Sequence, residues 1–177
     1  MDQKTNPMKE IFLEKLVINI GIGSSDDKID GAKALLKKLS NREPAHTTAK
    51  KRFPEFGIRK GQIIGAVVTI RGPEAATFFK SALEANNGVL FASSLANNSV
   101  NFGVKEYIYF SGVKYDPKIG MLGLNVNASF ARRGARVELR KRKRAKAGTE
   151  QKAINREDLK AHVEKNFGVS VKEREGG

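Results

Sequence analysis

The stretch Met121-Leu122-Gly123-Leu124-Asn125-Val126-Asn127-Ala128-Ser129-Phe130 alternates apolar and polar side chains with a period of two. One side of this pattern is apolar and the other is polar, with Asn125, Asn127 and Ser129 pointing outward. Such alternation is typical of a β-strand that has one buried and one solvated face. The stretch therefore predicts a sheet with a packed side and an open polar side.

The segments on either side of this strand extend the prediction to an α+β domain. Further strands are predicted over 14–22, 63–71, 100–104 and 106–110. Amphipathic or capped segments predict helices from 26 to about 39, from 73 to about 86, and from Asn155 to Gly168. We expect a mixed or antiparallel sheet with helices packed on one face. Residues 42–61 show no period and predict a long loop, which is often functional.

The length of 177 residues predicts one domain, with a body over about 6–131 and a basic segment and terminal helix over about 132–177. The chain has no Cys, which excludes disulfides, thiolate zinc sites and Cys nucleophiles. No apolar run approaches the roughly 20 residues that a membrane span needs. The formal net charge is +14, so a polyanion is the first partner to consider.

Two short segments carry most of this charge. Residues 132–148 hold nine cations against one carboxylate, and residues 42–60 hold six against two. A single basic run is often only a solvated face or a tail, whereas two runs on a nearly neutral body favour nucleic acid. Binding to DNA is an alternative, but it would need a recognition helix or a minor-groove wedge, and the sequence indicates neither.

Catalytic and metal sites have simpler explanations. Gly21-Ile22-Gly23 is similar to the start of a dinucleotide fingerprint, yet Asp26 stands at the third glycine position, so a tight strand-to-helix turn is favoured. The carboxylates Asp26, Asp27 and Asp30 could bind magnesium, but a helix N-terminus explains them better. His46 and His162 do not form a catalytic set. We therefore predict a protein that is not an enzyme and needs no cofactor or metal.

The outward side of the predicted sheet carries groups that suit RNA. Lys15 and Asn19 share one side of their strand, and Thr69 and Arg71 share one side of theirs. Amide, hydroxyl and cationic groups can donate to phosphates, 2′-hydroxyls and base edges, although a solvated polar face is the ordinary alternative. The face lacks stacking aromatics, which favours recognition of RNA shape and backbone. In the loop, Phe53 and Phe56 are expected either to pack on the body or to reach a ribose or base.

Six spaced blocks of the chain resemble the family of ribosomal protein L-five, which binds 5S rRNA in the large subunit. The blocks are Asn6-Pro7-Met8, residues 14–23, Ala49-Lys50-Lys51, Gly57-Ile58-Arg59-Lys60-Gly61, Val68-Thr69-Ile70-Arg71-Gly72 and residues 101–106. The part after residue 131 resembles the archaeal and eukaryotic branch, which has a basic stretch and an extra helix there.

This resemblance implies an α+β fold, a cytoplasmic ribosomal location, and a role in attaching 5S rRNA in the central protuberance. It implies contacts to 5S rRNA from Lys15, Asn19, Arg42, Thr69 and Arg71, where Arg42 replaces a glutamine of bacterial members. It implies a loop that approaches P-site tRNA, with His46, Thr47, Lys50, Lys51, Arg52, Arg59 and Lys60 as contacts. It also implies a contact with small-subunit ribosomal protein thirteen and other proteins of the central protuberance.

The basic run is expected to bind large-subunit rRNA. Its cations are Arg132, Arg133, Arg136, Arg140, Lys141, Arg142, Lys143, Arg144 and Lys146.

Overall fold

The computed structural model describes residues 6–23, 26–117, 119–149 and 153–172. Its strands are β1 (Ile11–Gly21), β2 (Ala45–Thr48), β3 (Ile63–Ile70), β4 (Val89–Phe91), β5 (Leu95–Ala96), β6 (Ser99–Val104), β7 (Leu124–Arg132) and β8 (Ser170–Lys172). Its helices are α1 (Asp26–Ser40), α2 (Pro73–Ala85), α3 (Arg136–Leu139) and α4 (Arg156–Phe167). The predicted α+β fold is confirmed.

Six strands form one sheet in the order β2-β3-β1-β7-β6-β5, and every neighbouring pair is antiparallel. One side of this sheet is apolar, and α1 packs on β3 while α2 lies against β1. Leu16, Ile18 and Ile20 of β1 are almost fully buried on this side. The predicted placement of the helices on one face is therefore correct.

Aromatic rings connect the helix layer to the sheet. Phe79 of α2 meets Phe102 of β6 and Phe130 of β7 at centroid distances of 6.1 and 6.0 Å. It also meets Phe167 of α4 edge-on at 4.9 Å. Such tilted and edge-to-face pairs add to the burial energy of the rings, so this cluster fixes α2 and α4 over the centre of the sheet.

The start of α4 differs in one detail from the predicted capping box. Asn155 occupies the position before the helix, but its side chain does not cap it. Asp158 instead accepts a hydrogen bond from Arg132 at 2.6 Å. The predicted end is correct, because Gly168 adopts a left-handed conformation with φ of 65°.

One predicted strand is wrong. Residues 106–110 were expected to form a strand, but Tyr107–Tyr109 form a 3-10 turn. Tyr107 is completely buried there, and its hydroxyl accepts the amide N–H of Asp116 at 3.0 Å. The turn places the ring of Tyr107 in the core and its hydroxyl against the backbone of Asp116. An extended strand would not place both groups in this way.

The pair β4 and β8 was not predicted. These two strands are parallel, with Leu90 opposite Val171. They bring residues 170–172 beside the segment that follows α2. Each strand has only three residues, too few for a periodic signal.

Candidate nucleic-acid interface

The side of the large sheet that faces away from the helices is a continuous polar surface across four strands. We call it the open face. It consists of Val67 and Thr69 on β3, Lys15, Val17 and Asn19 on β1, Asn125, Asn127 and Ser129 on β7, and Ser99, Asn101 and Gly103 on β6. All of these residues are half-buried or exposed.

The strand register brings the predicted site residues close together. Asn19 lies opposite Val67 on one side and Asn125 on the other. Val17 lies between Thr69 and Asn127, so Thr69 and Asn19 stand in adjacent rows of the same face. Lys15 follows one row further, opposite Ser129. The predicted grouping of Lys15, Asn19 and Thr69 is thus a feature of the structure.

Most hydrogen-bonding groups of the open face have no side-chain partner among the described residues. Asn101 donates to Ser99 at 3.1 Å. Within the described parts of the chain, no side-chain hydrogen bond or ion pair engages Lys15, Asn19 or Thr69. Their donors and acceptors are therefore available to a ligand.

Arg42 and Arg71, the other two predicted contacts, lie in different surroundings. The guanidinium of Arg42 donates to Glu74 of α2 at 2.6 Å, which connects it to the helix layer. Arg71 is exposed directly after β3 and lines a cleft with Phe12 and residues of the basic run. Arg71 is thus beside the open face, whereas the contact of Arg42 is on the helix side.

Sequence reasoning missed Phe12. The first strand was predicted to begin at Glu14, but β1 begins at Ile11, and Glu14 is the extra residue at a register shift between Leu13 and Lys15. Beyond this bulge Phe12 pairs with Ala131, on the side of Lys15 and Ser129. The open face therefore carries an aromatic side chain at one end, contrary to the expectation that it has none. The bulge concealed it by breaking the alternation.

The basic loop is more ordered than the predicted connection without a period. It begins with β2, which pairs with β3. The N–H of Ala49 then bonds to Gln62 O at 2.8 Å, and Gly61 N–H to Ala49 O at 2.9 Å. Further out, Phe53 and Ile58 exchange two backbone hydrogen bonds of 2.9 and 3.1 Å. The loop is a hydrogen-bonded hairpin extension of the sheet.

The side chains of this hairpin divide into two buried groups and a larger set of exposed ones. Ala49 and Ile58 are buried, but neither belongs to the core cluster of the body. Of the two alternatives for the aromatic rings, packing on the body is excluded for Phe56, which is 67% exposed, and Phe53 is 49% exposed. The predicted cationic contacts are all exposed, namely Lys50, Lys51, Arg52, Arg59 and Lys60. Of the other two predicted contacts, His46 is exposed and Thr47 is half-buried.

The basic run starts with two ion pairs and then folds back on itself. Arg132, whose side chain is only 11% exposed, pairs with Asp158, and Arg133 meets Glu10 at 3.2 Å. Residues 136–139 form α3, and the N–H of Ala145 returns to Val137 O at 3.3 Å. The other seven predicted cations of the run are exposed or half-buried at the surface: Arg136, Arg140, Lys141, Arg142, Lys143, Arg144 and Lys146. Arg132 is thus engaged inside the fold, while these seven face solvent.

The glycine turn after β1 does not form a phosphate cradle. The N–H groups of Ile22 and Gly23 both donate to Ile64 O, at 2.9 and 3.1 Å. The turn is therefore a tight connection stabilised by β3, as favoured from the sequence. The predicted cap at the start of α1 lies outside the described residues, and so do the side chains of Asp26 and Asp27.

The two histidines lie far apart in the fold. His162 on α4 packs edge-on against Phe130, with ring centroids 5.8 Å apart. Burial lowers the pKa of His162 below its ordinary value of 6.5, and the negative charge of Glu10 opposes this effect. Across the part of the chain that the structure describes, no cluster of three metal-ligating side chains occurs and no helix is long and apolar enough to span a membrane.

Comparison with known families agrees with this architecture. Residues 6–59 match the family model described as Ribosomal protein L5, and residues 63–158 match the model of the C-terminal part of the same ribosomal family. The chain is 44% identical over 169 residues to large ribosomal subunit protein uL5 of Pyrobaculum aerophilum, covering 95% of this chain and 94% of that protein. It is 43% identical to the uL5 protein of Archaeoglobus fulgidus, with 94% and 92% covered.

A further relative, uL5 of Nitrosopumilus maritimus, is 38% identical, with 97% of this chain and 99% of that protein covered. These matches define a structural protein of the large ribosomal subunit, which is not an enzyme and which associates with rRNA in the cytoplasmic ribosome. The chain belongs to the ribosomal protein L5 family.

Proposed function

We propose that this chain binds 5S rRNA through the open face and helps to attach it in the central protuberance. The observation that carries the proposal is the open face itself. Lys15, Asn19 and Thr69 stand in consecutive rows of adjacent strands, and no group of the described chain satisfies their side chains. The opposite side of the sheet is covered by helices, so this side is the one available for docking.

The chemistry of the open face favours recognition of backbone and shape. Apart from Val17 and Val67, its central rows are amides and hydroxyls, which can both donate to and accept from 2′-hydroxyls and base edges. A double-stranded RNA presents such groups in its wide, shallow minor groove. Lys15 adds a positive charge at the end of these rows, where a phosphate would be stabilised.

The test is a comparison of 5S rRNA, a tRNA and a duplex DNA of equal length at two salt concentrations. We expect the pair Asn19→Ala and Thr69→Ala to weaken 5S rRNA binding by about tenfold, because each side chain contributes about 1 kcal/mol or slightly less in net hydrogen bonding. The matched control is the pair Thr77→Ala and Asn166→Ala, which removes the same residue types from α2 and α4.

The two outcomes are distinct. A preference for 5S rRNA that survives the higher salt and falls only in the open-face pair supports the proposal. Equal binding of all three nucleic acids, lost together as salt rises, would assign binding to the basic segments and contradict it.

We further propose that the hairpin of residues 46–60 approaches P-site tRNA. Its backbone hydrogen bonds make it an ordered extension of β2 and β3, and its exposed cations suit tRNA phosphates. In large subunits that contain this chain, the salt dependence of tRNA binding measures these contacts. Neutralising Lys50, Lys51 and Arg52 should reduce the log–log slope by about 0.7–0.9 for each lost phosphate contact.

The control for this experiment is neutralisation of three lysines of the helix layer, Lys38, Lys80 and Lys160, all of which are exposed. This variant has the same net charge as the hairpin variant. A slope that changes equally in both variants would mean that net charge, and not the hairpin, determines tRNA affinity.

The proposal also includes rRNA contacts from the basic run. It further includes an inter-subunit contact with small-subunit ribosomal protein thirteen, and contacts with other proteins of the central protuberance. Eight of the nine cations of the run are exposed, which supports rRNA binding by this segment. Large subunits that contain a chain neutralised at residues 140–144 should retain it less well as salt rises. Unchanged retention would contradict this role.

A further inference from the structure

A cleft of about 610 Å³ opens at the end of the open face, between the start of β1 and the folded basic run. Phe12 of β1 and Leu139 of α3 both line it. The volume lies in the range of about 300–1,000 Å³ that is usual for small-ligand sites. The cleft is therefore large enough for one nucleotide.

The apolar surface of the cleft is exposed. Phe12 is 41% exposed and Leu139 is 73% exposed. Two large apolar side chains that line one cleft can hold a planar ring between them, as proteins do when they stack single bases.

Cations surround this apolar space. Arg71, Arg136 and Arg140 line the cleft, and none of them is buried. The Nε of Arg140 donates to Lys143 O at 2.8 Å, which orients that guanidinium. This combination of apolar walls and guanidinium groups complements a base with its attached phosphates.

One carboxylate is present among these arginines. Glu14 is the bulged residue of β1, it lines the cleft, and it is exposed. No ion pair engages it within the described residues. A carboxylate can only accept hydrogen bonds when ionised, so it favours a ligand edge that carries donors. Guanine alone among the four bases presents an adjacent ring N–H and amino group on its Watson–Crick edge, and these match two carboxylate oxygens.

We propose that this cleft binds one unstacked guanine of the rRNA, held between Phe12 and Leu139 and recognised by Glu14, with the arginines on its phosphates. The inference rests on the RNA-binding function proposed above, because the cleft continues the open face beyond Lys15. It adds a base-specific contact to a surface that otherwise recognises shape.

The probe is kethoxal, which modifies the Watson–Crick ring nitrogen and amino group of unpaired guanines. The full chain is mixed with 5S rRNA and large-subunit rRNA together, and modification is mapped on both. We expect a guanine that is reactive in free RNA to be protected by the wild type and reactive again with Glu14→Gln or Phe12→Ala. Loss of the stacked ring should also weaken binding by about fivefold.

The matched controls are Glu84→Gln on α2 and Phe91→Ala on β4, which change the same residue types at exposed positions away from the cleft. Thermal melting verifies that all variants are folded. Protection that depends on Glu14 and Phe12 but not on the controls supports the inference, whichever rRNA contains the guanine.

Other outcomes overturn it. If the wild type binds rRNA and no guanine depends on the cleft, the inference is wrong while the proposed function stands. The inference is also wrong, and the proposed function stands, if all four variants behave alike. The cleft would then bind another kind of partner, such as an acidic peptide. Failure of the open-face pair to affect 5S rRNA binding, with a cleft-dependent guanine on large-subunit rRNA, would contradict only the proposed function.

Discussion

Replacing Gly65 with alanine tests the close approach of β1, β2 and β3. Gly65 pairs with Gly21 on β1 and with Thr47 on β2. A Cβ atom at this position would lie 2.2 Å from the carbonyl oxygen of Ile20 and 3.0 Å from Thr47 Oγ1, whereas ordinary contacts begin at 3.4 Å. The nearest of these atoms is backbone, so relief requires that the strands separate by about 1 Å.

The expected cost follows from two opposing effects. Forcing an extra carbon into a well-packed site costs about 1–3 kcal/mol. Replacing glycine with alanine also reduces the entropy of the unfolded chain, which stabilises by about 0.4–1 kcal/mol. The clash is the larger effect, so the free energy of unfolding should fall by about 1–2 kcal/mol. For a chain of this length that corresponds to a decrease in Tm of about 2–8 °C.

The assay is urea unfolding followed by circular dichroism, with Gly21→Ala as the control. Gly21 is the ladder partner of Gly65, but a Cβ there meets nothing within 4 Å. We expect Gly21→Ala to be neutral or slightly stabilising. If both variants are equally stable, the strands do not approach as described and the reasoning is refuted.

Three further predictions concern single side chains. Burial lowers the pKa of His162, so its neutral form favours the folded state, and stability present above pH 6.5 should be lost as the pH falls below it; His162→Gln should flatten this dependence in urea midpoints measured across that range. Tyr107→Phe should cost about 1 kcal/mol, because Asp116 N–H loses that acceptor; an unchanged midpoint would count against the bond. Asp158→Asn should cost about 1 kcal/mol, because it weakens a pair with the largely buried Arg132; the same loss at high salt would exclude an ionic origin.

The open face was predictable because side chains in a strand alternate with a period of two. The sequence pattern around Asn19, Thr69 and Asn125 placed each of them on the outward side of its own strand. The partner of each strand was not contained in that pattern, since register depends on pairing between distant segments. Only the structure shows that Asn19 lies opposite Asn125.

The errors have local physical causes. The β2 strand was missed because three of its four residues are exposed, so the segment shows no apolar alternation. The bulge at Glu14 shifted the phase of β1 and hid Phe12 from the polar face. The basic run contains few apolar residues, and α3 within it has only four residues, too short for a helical period. The cleft between the start of β1 and the folded basic run could not be predicted from either segment alone.

The order of strands has a consequence for the chain before it meets its RNA. The large sheet ends at β5, which has two residues, and at β2, which has four and a register shift near its end. Unpaired strand edges are templates for aggregation, and short or irregular edges with charged surroundings suppress it. Two copies of the chain therefore find no long, regular edge on which to extend the large sheet, even though a whole side of that sheet stays uncovered.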